Sequence, residues 1–291
     1  MSPLFGRLTV AGVGLIGGSL ALAAREAGLV GEVVGFGRSE ANLRVALDRG
    51  IVDRVARDPA SAVAGADAVL LATPVGTCAA LADAFRPHVG PHTLLTDVGS
   101  VKGSLVDALE ARWPEPGRVV GAHPIAGSEI AGAAAARADL FRGRLCILTP
   151  TKTTQPEALG AVRTLWEGVG ARVEEMDAAL HDAILARVSH LPHLVAFALV
   201  DAVTGARAAG RPVAPYAGSG LLDTSRIAAS SPELWRDIAL ANAGALREAL
   251  AEFRAALDRL EQLVAAGDAA GLEAAIAGVR AARRALGGEE R

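Results

Sequence analysis

The stretch "RLTVAGVGLIGGSLALAAREAG", residues 7–28, constrains the fold more than any other part of the chain. Its start, "RLTVA" (7–11), has the composition of a buried strand, and "GSLALAAREAG" (18–28) reads as a helix ended by Gly28. Between them Gly12, Gly14 and Gly17 spell G-x-G-x-x-G. In a strand–turn–helix setting each glycine has a task. Gly12 allows the tight turn, Gly14 lets backbone approach a pyrophosphate, and Gly17 lets the helix lie close to the strand. Leu15 and Ile16 open the helix, whose free N–H groups and dipole offer partial positive charge to phosphate oxygens. A secretion signal is the competing reading, since Arg7 and "ALAA" (21–24) imitate its basic start and cleavage site. The ordered glycines and the segments that follow weigh against it.

Those segments alternate. "EVVGFG" (32–37), "DAVLLATP" (67–74), "HTLLTDVGS" (92–100), "RVVGAHPIAG" (118–127), "RLCILTP" (144–150) and "ARVEEMD" (171–177) read as strands. Helices are expected at 40–50, 77–86, 101–113 and 157–170. This alternation with short links predicts a doubly wound parallel sheet, a Rossmann-like domain over residues 1–176. Ligands of such sheets sit beyond the carboxyl ends of the strands, where Thr73, Pro74, Asp97, Gly99, Ser100 and His123 fall.

The second strand ends in Gly37-Arg38-Ser39, where an acid would bind the ribose hydroxyls of NAD. Arg38 and Ser39 suit a 2′-phosphate instead, which favours NADP over NAD. Ser39 as a simple helix cap, and Arg38 stacked on adenine with either cofactor, are the alternatives.

From Asp177 onward the chain reads as helix, giving an all-α domain over 177–291. The run 178–205 is long and apolar, with Pro192 inside it to kink it. Such a helix must be covered, by neighbours or by a second copy, so a homodimer through this domain is expected. Asp182, Ser189, His190 and His193 share one face of it, with His181 alongside Asp182. A metal site from His190, His193 and Asp182 is disfavoured, because the acid lies two turns away. A substrate pocket fits better, and Arg226 in "TSRIAA" would need an acid such as Asp182 or an anionic ligand.

Composition limits the partners. The 291 residues, 51% hydrophobic, suffice for two cores, and a net charge of −3 with no polybasic run argues against nucleic acid and membrane surfaces. Two distant cysteines, Cys78 and Cys146, form no disulfide framework, so a cytoplasmic setting is expected.

Six motifs carry a resemblance. "GVGLIGGSLA", "ATPV", "DVGSVK", "GAHPIAGSE", "HDAILARVSHLPH" and "TSRIAASSPELW" resemble, in order over residues 8–240, the prephenate/arogenate dehydrogenases of tyrosine biosynthesis. The chain looks like the form without a fused mutase or C-terminal regulatory domain. The resemblance implies oxidative decarboxylation with hydride transfer to NADP or NAD. It implies His123 as base, Ser100 as its partner on the ring hydroxyl, and Arg226 as the carboxylate grip. It also places His190, His193, Ser189 and Asp182 in the substrate pocket and Glu129 near the side-chain end. "SEIAG" departs from the family's "SEKSG" at Ile130 and Ala131, which puts side-chain selectivity in doubt. A β-hydroxyacid dehydrogenase shares the architecture but uses a lysine in its helical domain, and residues 178–291 contain none. A non-catalytic nucleotide-binding protein would need neither His123 nor Arg226.

Overall fold

The computed structural model describes residues 2–127 and 132–287. Glu129, Ile130 and Ala131 lie outside the described residues. By internal packing the chain divides into two compact units, Met1–Ala243 and Gly244–Arg291.

In the first unit, strands and helices alternate as the apolar pattern requires. They run β1 (Phe5–Ala11), α1 (Leu15–Glu26), β2 (Val30–Phe36), α2 (Glu40–Asp48), β3 (Arg54–Val55), α3 (Pro59–Val63), β4 (Ala68–Leu71), α4 (Val75–Phe85), β5 (Leu94–Asp97), α5 (Gly103–Glu110), β6 (Val119–Pro124), β7 (Leu145–Thr149), α6 (Pro156–Gly168) and β8 (Arg172–Glu175). The central strands β4, β5 and β6 are buried throughout, which is why they read as continuous apolar runs. The eight strands form one sheet in the order β3-β2-β1-β4-β5-β6-β7-β8. Two apolar layers cover it. Leu20, Phe141 and Trp166 belong to one; Phe85, Leu109 and Trp113 belong to the other.

The expectation of a uniformly parallel sheet needs one correction. Strands β1 to β6 are parallel, but β7 pairs antiparallel with β6, and β8 runs parallel to β7. No crossover helix occurs among the described residues between β6 and β7, only a 3-10 turn at Ala133–Ala135. A parallel return would require a long crossover, so the strand comes back antiparallel. The order reverses between β1 and β4, so the loops after these two strands flank the cleft where such sheets bind ligands.

Helices α7 (Ala178–Leu185), α8 (Leu191–Gly205), α9 (Ser219–Ser225) and α10 (Pro232–Ala241) complete this unit. The kink expected at Pro192 takes the form of a π-helical turn, Ala186–His190, immediately before α8. Proline supplies no N–H to the preceding turn, and the wider π turn absorbs the gap. The helical pattern expected from Asp177 onward is interrupted at residues 207–212, which form a small hairpin of β9 (Arg207–Ala208) and β10 (Arg211–Pro212). Its turn places Ala209 and Gly210 at positive φ, 49° and 80°.

The run Ala178–Gly205 is long and apolar enough to cross a membrane by length and composition. Its polar residues His181, Asp182 and His190 are nevertheless buried against protein. Apolar Val188 within this run, and Leu222 and Leu240 beyond it, are exposed in the single chain. The second unit consists of α11 (Ala243–Ala265) and α12 (Ala269–Gly287), joined through Gly267 at φ +66°.

Candidate active site

The loop after β1 is shaped by close approach. A Cβ on Gly12 would lie 2.4 Å from the Ala72 carbonyl oxygen, and one on Gly17 2.4 Å from the Gly12 carbonyl oxygen. Both positions therefore require glycine for packing alone. Gly14 differs, because a Cβ there would meet nothing within 4 Å. Protein packing does not demand glycine at that point, and the open space is where a phosphate group would approach the backbone. Helix α1 starts at Leu15 and Ile16 with no side-chain cap, so its first N–H groups are not taken by a side chain. The residues present thus fit a dinucleotide.

Other residues assigned to the cofactor are distributed along the same edge. Thr73 and Pro74 follow β4, and Pro74 caps α4. Ser39 caps α2 by accepting from the Asn42 N–H at 3.2 Å. Arg38 is mostly exposed and faces the Glu233 carboxylate of α10 at 3.9 Å. Asn42 was missed in the sequence. Its side chain donates to the Val13 carbonyl at 2.7 Å and accepts from the Ala133 N–H at 2.8 Å, holding the glycine loop from outside. Asp97 needs reassignment. It is fully buried, and its carboxylate accepts from Lys102 Nζ, from the Gly99 N–H at 2.6 Å and from the Ala122 N–H at 3.2 Å. Its side chain is spent inside the protein rather than offered to a ligand.

His123 lies near the end of β6, 8% exposed. Its Nδ1 is 2.8 Å from His181 Nε2, and His181 Nδ1 is 2.8 Å from Asp182 Oδ1. The proton positions follow from the far end. A carboxylate only accepts, so His181 Nδ1 carries hydrogen and its Nε2 presents a lone pair. His123 Nδ1 then donates to that lone pair, which leaves His123 Nε2 unprotonated. Burial raises the Asp182 carboxyl, but hydrogen bonds from His181 and from the Lys102 and Gly103 N–H groups, both at 2.8 Å, outweigh it. Asp182 is therefore held below the usual carboxylate range and stays ionised. Burial, reinforced by the Lys102 cation and by His181 and His190, keeps His123 well below the ordinary histidine range. At neutral pH it is an unprotonated base.

This chain corrects one expectation. Asp182 does not reach into a substrate pocket or pair with Arg226, because both its oxygens are engaged behind His181. Arg226 itself sits exposed on a 3-10 turn, Arg226–Ala229, packed against α8. Burial therefore does not by itself demand a counter-ion for it.

The π turn brings the remaining histidines inward. Asn242 Nδ2 donates to the Asp182 carbonyl at 2.8 Å, which fixes the amide orientation, and lies 3.1 Å from His190 Nδ1. His190 Nδ1 must accept, so its hydrogen is on Nε2, which is buried without a hydrogen-bond partner. The Ser100 main chain acts on this ring without completing a bond to that nitrogen. Burial, opposed by Asp182, pushes His190 down to about 4. His193 donates from Nδ1 to the Ser189 carbonyl at 3.0 Å and stacks on Trp235, ring centroids 3.6 Å apart at 23°. Sequence reading assigned no role to His181, Lys102, Trp235 or Asn242. The position of His181 beside Asp182 was visible, but not which way it faces.

A glycine turn at the sheet's switch point, with an oriented base at a nearby strand end, defines a pyridine-nucleotide-dependent oxidoreductase with a helical second part. Residues 20–175 match the family model for the prephenate dehydrogenase nucleotide-binding domain, and residues 177–277 match that for its dimerization domain. The chain is 36% identical over 266 residues to the cyclohexadienyl dehydrogenase of Zymomonas mobilis, covering 91% of this chain and 90% of that protein. It superposes with a TM-score of 0.91 and 36% identity on the prephenate dehydrogenase of Aquifex aeolicus solved with hydroxyphenyl propionate and NAD+, covering 96% and 98% of the two chains. The Synechocystis arogenate dehydrogenase gives 0.81 at 31% identity, covering 96% and 99%. The chain belongs to the prephenate dehydrogenase family.

Proposed function

We propose that this chain oxidatively decarboxylates prephenate, arogenate or both, giving 4-hydroxyphenylpyruvate or tyrosine. The observation that supports this most is the Asp182–His181–His123 chain, which leaves an unprotonated Nε2 on a side chain near the carboxyl end of β6. A bound nicotinamide would supply the acceptor for the hydride that leaves the hydroxyl-bearing ring carbon. His123 Nε2 accepts the hydroxyl proton, and Ser100 hydrogen-bonds the same oxygen. The bond to the ring carboxylate breaks, its electron pair enters the ring, and carbon dioxide leaves. Arg226 grips a substrate carboxylate, while His190, His193 and Ser189 line the pocket, with Trp235 bracing His193. Glu129 is assigned to the side-chain end, from the motif alone.

Domains of 1–176 and 177–291 are our division, supported by the two family models meeting at that point. A homodimer through the helical part is supported by the exposed Val188, Leu222 and Leu240 and by the dimerization-domain match. A cytoplasmic location is supported by Cys78 and Cys146 both being free thiols.

The cofactor reading is NADP, supported by the missing acid after β2 and the exposed Arg38 guanidinium. NAD is the second reading, favoured by Glu233, whose carboxylate faces Arg38 and would oppose a 2′-phosphate. Initial rates with prephenate and arogenate, each with NADP and NAD, test the function and the cofactor together. We expect turnover of at least one substrate and a higher catalytic efficiency with NADP, the preference shrinking in Arg38→Ala. An NAD-preferring wild type leaves adenine stacking as the role of Arg38, and no turnover of either substrate ends the functional reading.

For the carboxylate grip, Arg226→Gln is expected to raise the Michaelis constant for the substrate about tenfold, the scale of one charge-assisted hydrogen bond. Steady-state titration of substrate at saturating cofactor checks this. An unchanged Michaelis constant makes Arg226 a structural residue.

A further inference from the structure

Ala122 precedes His123, and its peptide lacks a strand partner on one side. The parallel ladder between β5 and β6 includes Leu95↔Val119 and Thr96↔Val120 and extends no further. Alternate residues of a strand turn their N–H and C=O toward opposite edges. Ile125 donates to Leu145 on the β7 side, so by alternation His123 faces β7 as well, and Ala122 faces the edge that β5 has left. Two side chains take the place of the absent strand. Asp97 Oδ1 accepts from the Ala122 N–H at 3.2 Å, and Lys102 Nζ donates to the Ala122 carbonyl at 2.7 Å. Lys102 and Asp97 are bonded to each other, and neither side chain has any exposure.

The site is built around this lysine. A Cβ on Gly121 would lie 2.5 Å from Thr149 Oγ1 and 2.6 Å from Val106 Cγ2, so those two neighbours require glycine there, with the Lys102 stem packed alongside at 3.4 Å. The Lys102 main-chain N–H donates to Asp182 Oδ1 at 2.8 Å, at the other end of the histidine chain. A buried ion pair is weak evidence for stability, because desolvation offsets its attraction. An apolar pair in its place would leave both polar groups of the Ala122 peptide buried and unsatisfied.

We propose that Lys102, together with Asp97, is a positioning residue for His123. The pair completes the edge of β6, fixing the backbone from which the imidazole projects, while the Lys102 N–H anchors Asp182 at the end of the relay. The proposal rests on His123 being the base. The charged and titratable groups around His123 are Asp97 at the end of β5, Lys102 ahead of α5, the Cys146 thiol on β7, which burial keeps neutral, His181 and Asp182 on α7, and His190 on the π turn. Among them the Lys102 cation disfavours an imidazolium at His123, so its loss moves the protonation of His123 to higher pH.

The test compares full-length Asp97→Asn, which is isosteric, with Lys102→Met/Asp97→Asn, which leaves no unpaired buried charge. His123→Asn is measured beside them. In the double variant we expect kcat to fall about tenfold or more, the scale of a misplaced catalytic group. The Michaelis constant for prephenate and the dissociation constant for NAD+ stay within about twofold. The acid limb of kcat/KM moves to higher pH, and in protein labelled with 15N-histidine the His123 signals titrate at higher pH. Asp97→Asn lowers kcat by less and, because it keeps the Lys102 cation and removes only the anion beside it, does not move His123 protonation to higher pH. Wild-type kcat in either folded variant overturns the proposal. So does a loss shared equally by kcat, cofactor affinity and melting temperature, and if the double variant does not fold, Asp97→Asn alone decides by the same criteria. If His123→Asn keeps its turnover, the base assignment has failed. If it loses turnover while the other variants keep theirs, the positioning role has failed.

Discussion

His123→Asn is expected to lose turnover by at least about 100-fold, the lower end of the general acid–base range. Asparagine is small enough for the β6 site, and its amide can still donate toward His181 Nε2. It offers no basic nitrogen toward the cleft, so dinucleotide and substrate binding persist while the ring hydroxyl keeps its proton. Single-turnover rates followed by nicotinamide absorbance, with separate binding titrations, separate the two effects. The wild type carries a pH signature of the same assignment. Burial first, then the Lys102 cation, holds His123 well below 6.5. A depressed histidine stays unprotonated to lower pH, so the acid limb of kcat/KM falls below the ordinary histidine range. A limb at or above that range, or wild-type turnover in His123→Asn, removes His123 from the role of base.

The sequence carried much of the sheet because its central strands are buried on both faces. Buried strands read as apolar runs, and the helices between them have amphipathic spacing and glycine stops. Strand β3 and helix α3 were not visible. β3 has two residues and α3 five, too short for periodicity to register. A capping box at Asp58 and Ser61, with Pro59 between them at the first helical position, was the available signal for α3. The direction of β7 is not encoded by apolar pattern at all. The span 127–144 is not among the helices expected from the sequence, and a parallel return would need its crossover there.

The site divides along similar lines. His123 and the glycines were legible because a strand end and a turn are local features. Asp97 was legible as a strand-end residue, but its commitment to Lys102 and Ala122 depends on where β5 stops relative to β6. Asp182 was visible as a polar residue on an apolar helix. Its role behind His181 depends on which face α7 turns to α5 and β6, and that is set by tertiary packing. Trp235 was quoted within its motif, yet its stacking on His193 requires α10 to lie beside α8.

Replacing His181 tests the relay itself. In His181→Phe the ring shape is kept, but His123 Nδ1–H loses its acceptor and Asp182 no longer faces an imidazole. Nothing then disfavours the tautomer with hydrogen on His123 Nε2, the form that cannot accept the substrate proton. The positive charge that develops on His123 also loses its path toward the Asp182 carboxylate. We expect kcat to fall about 100-fold, comparable to losing the base, because the relay and the base act as a unit. The Michaelis constants should change little, since neither ring nitrogen of His181 is available to a ligand. His181→Gln is the conservative control. Its carbonyl oxygen can accept the His123 Nδ1–H, so it restores the tautomer without the imidazole and should recover part of the lost kcat. Combining His181→Phe with His123→Asn should cost little more than either alone. Additive losses in the double variant, or equal damage from Phe and Gln, would show that His181 supports the fold and does not set the state of His123.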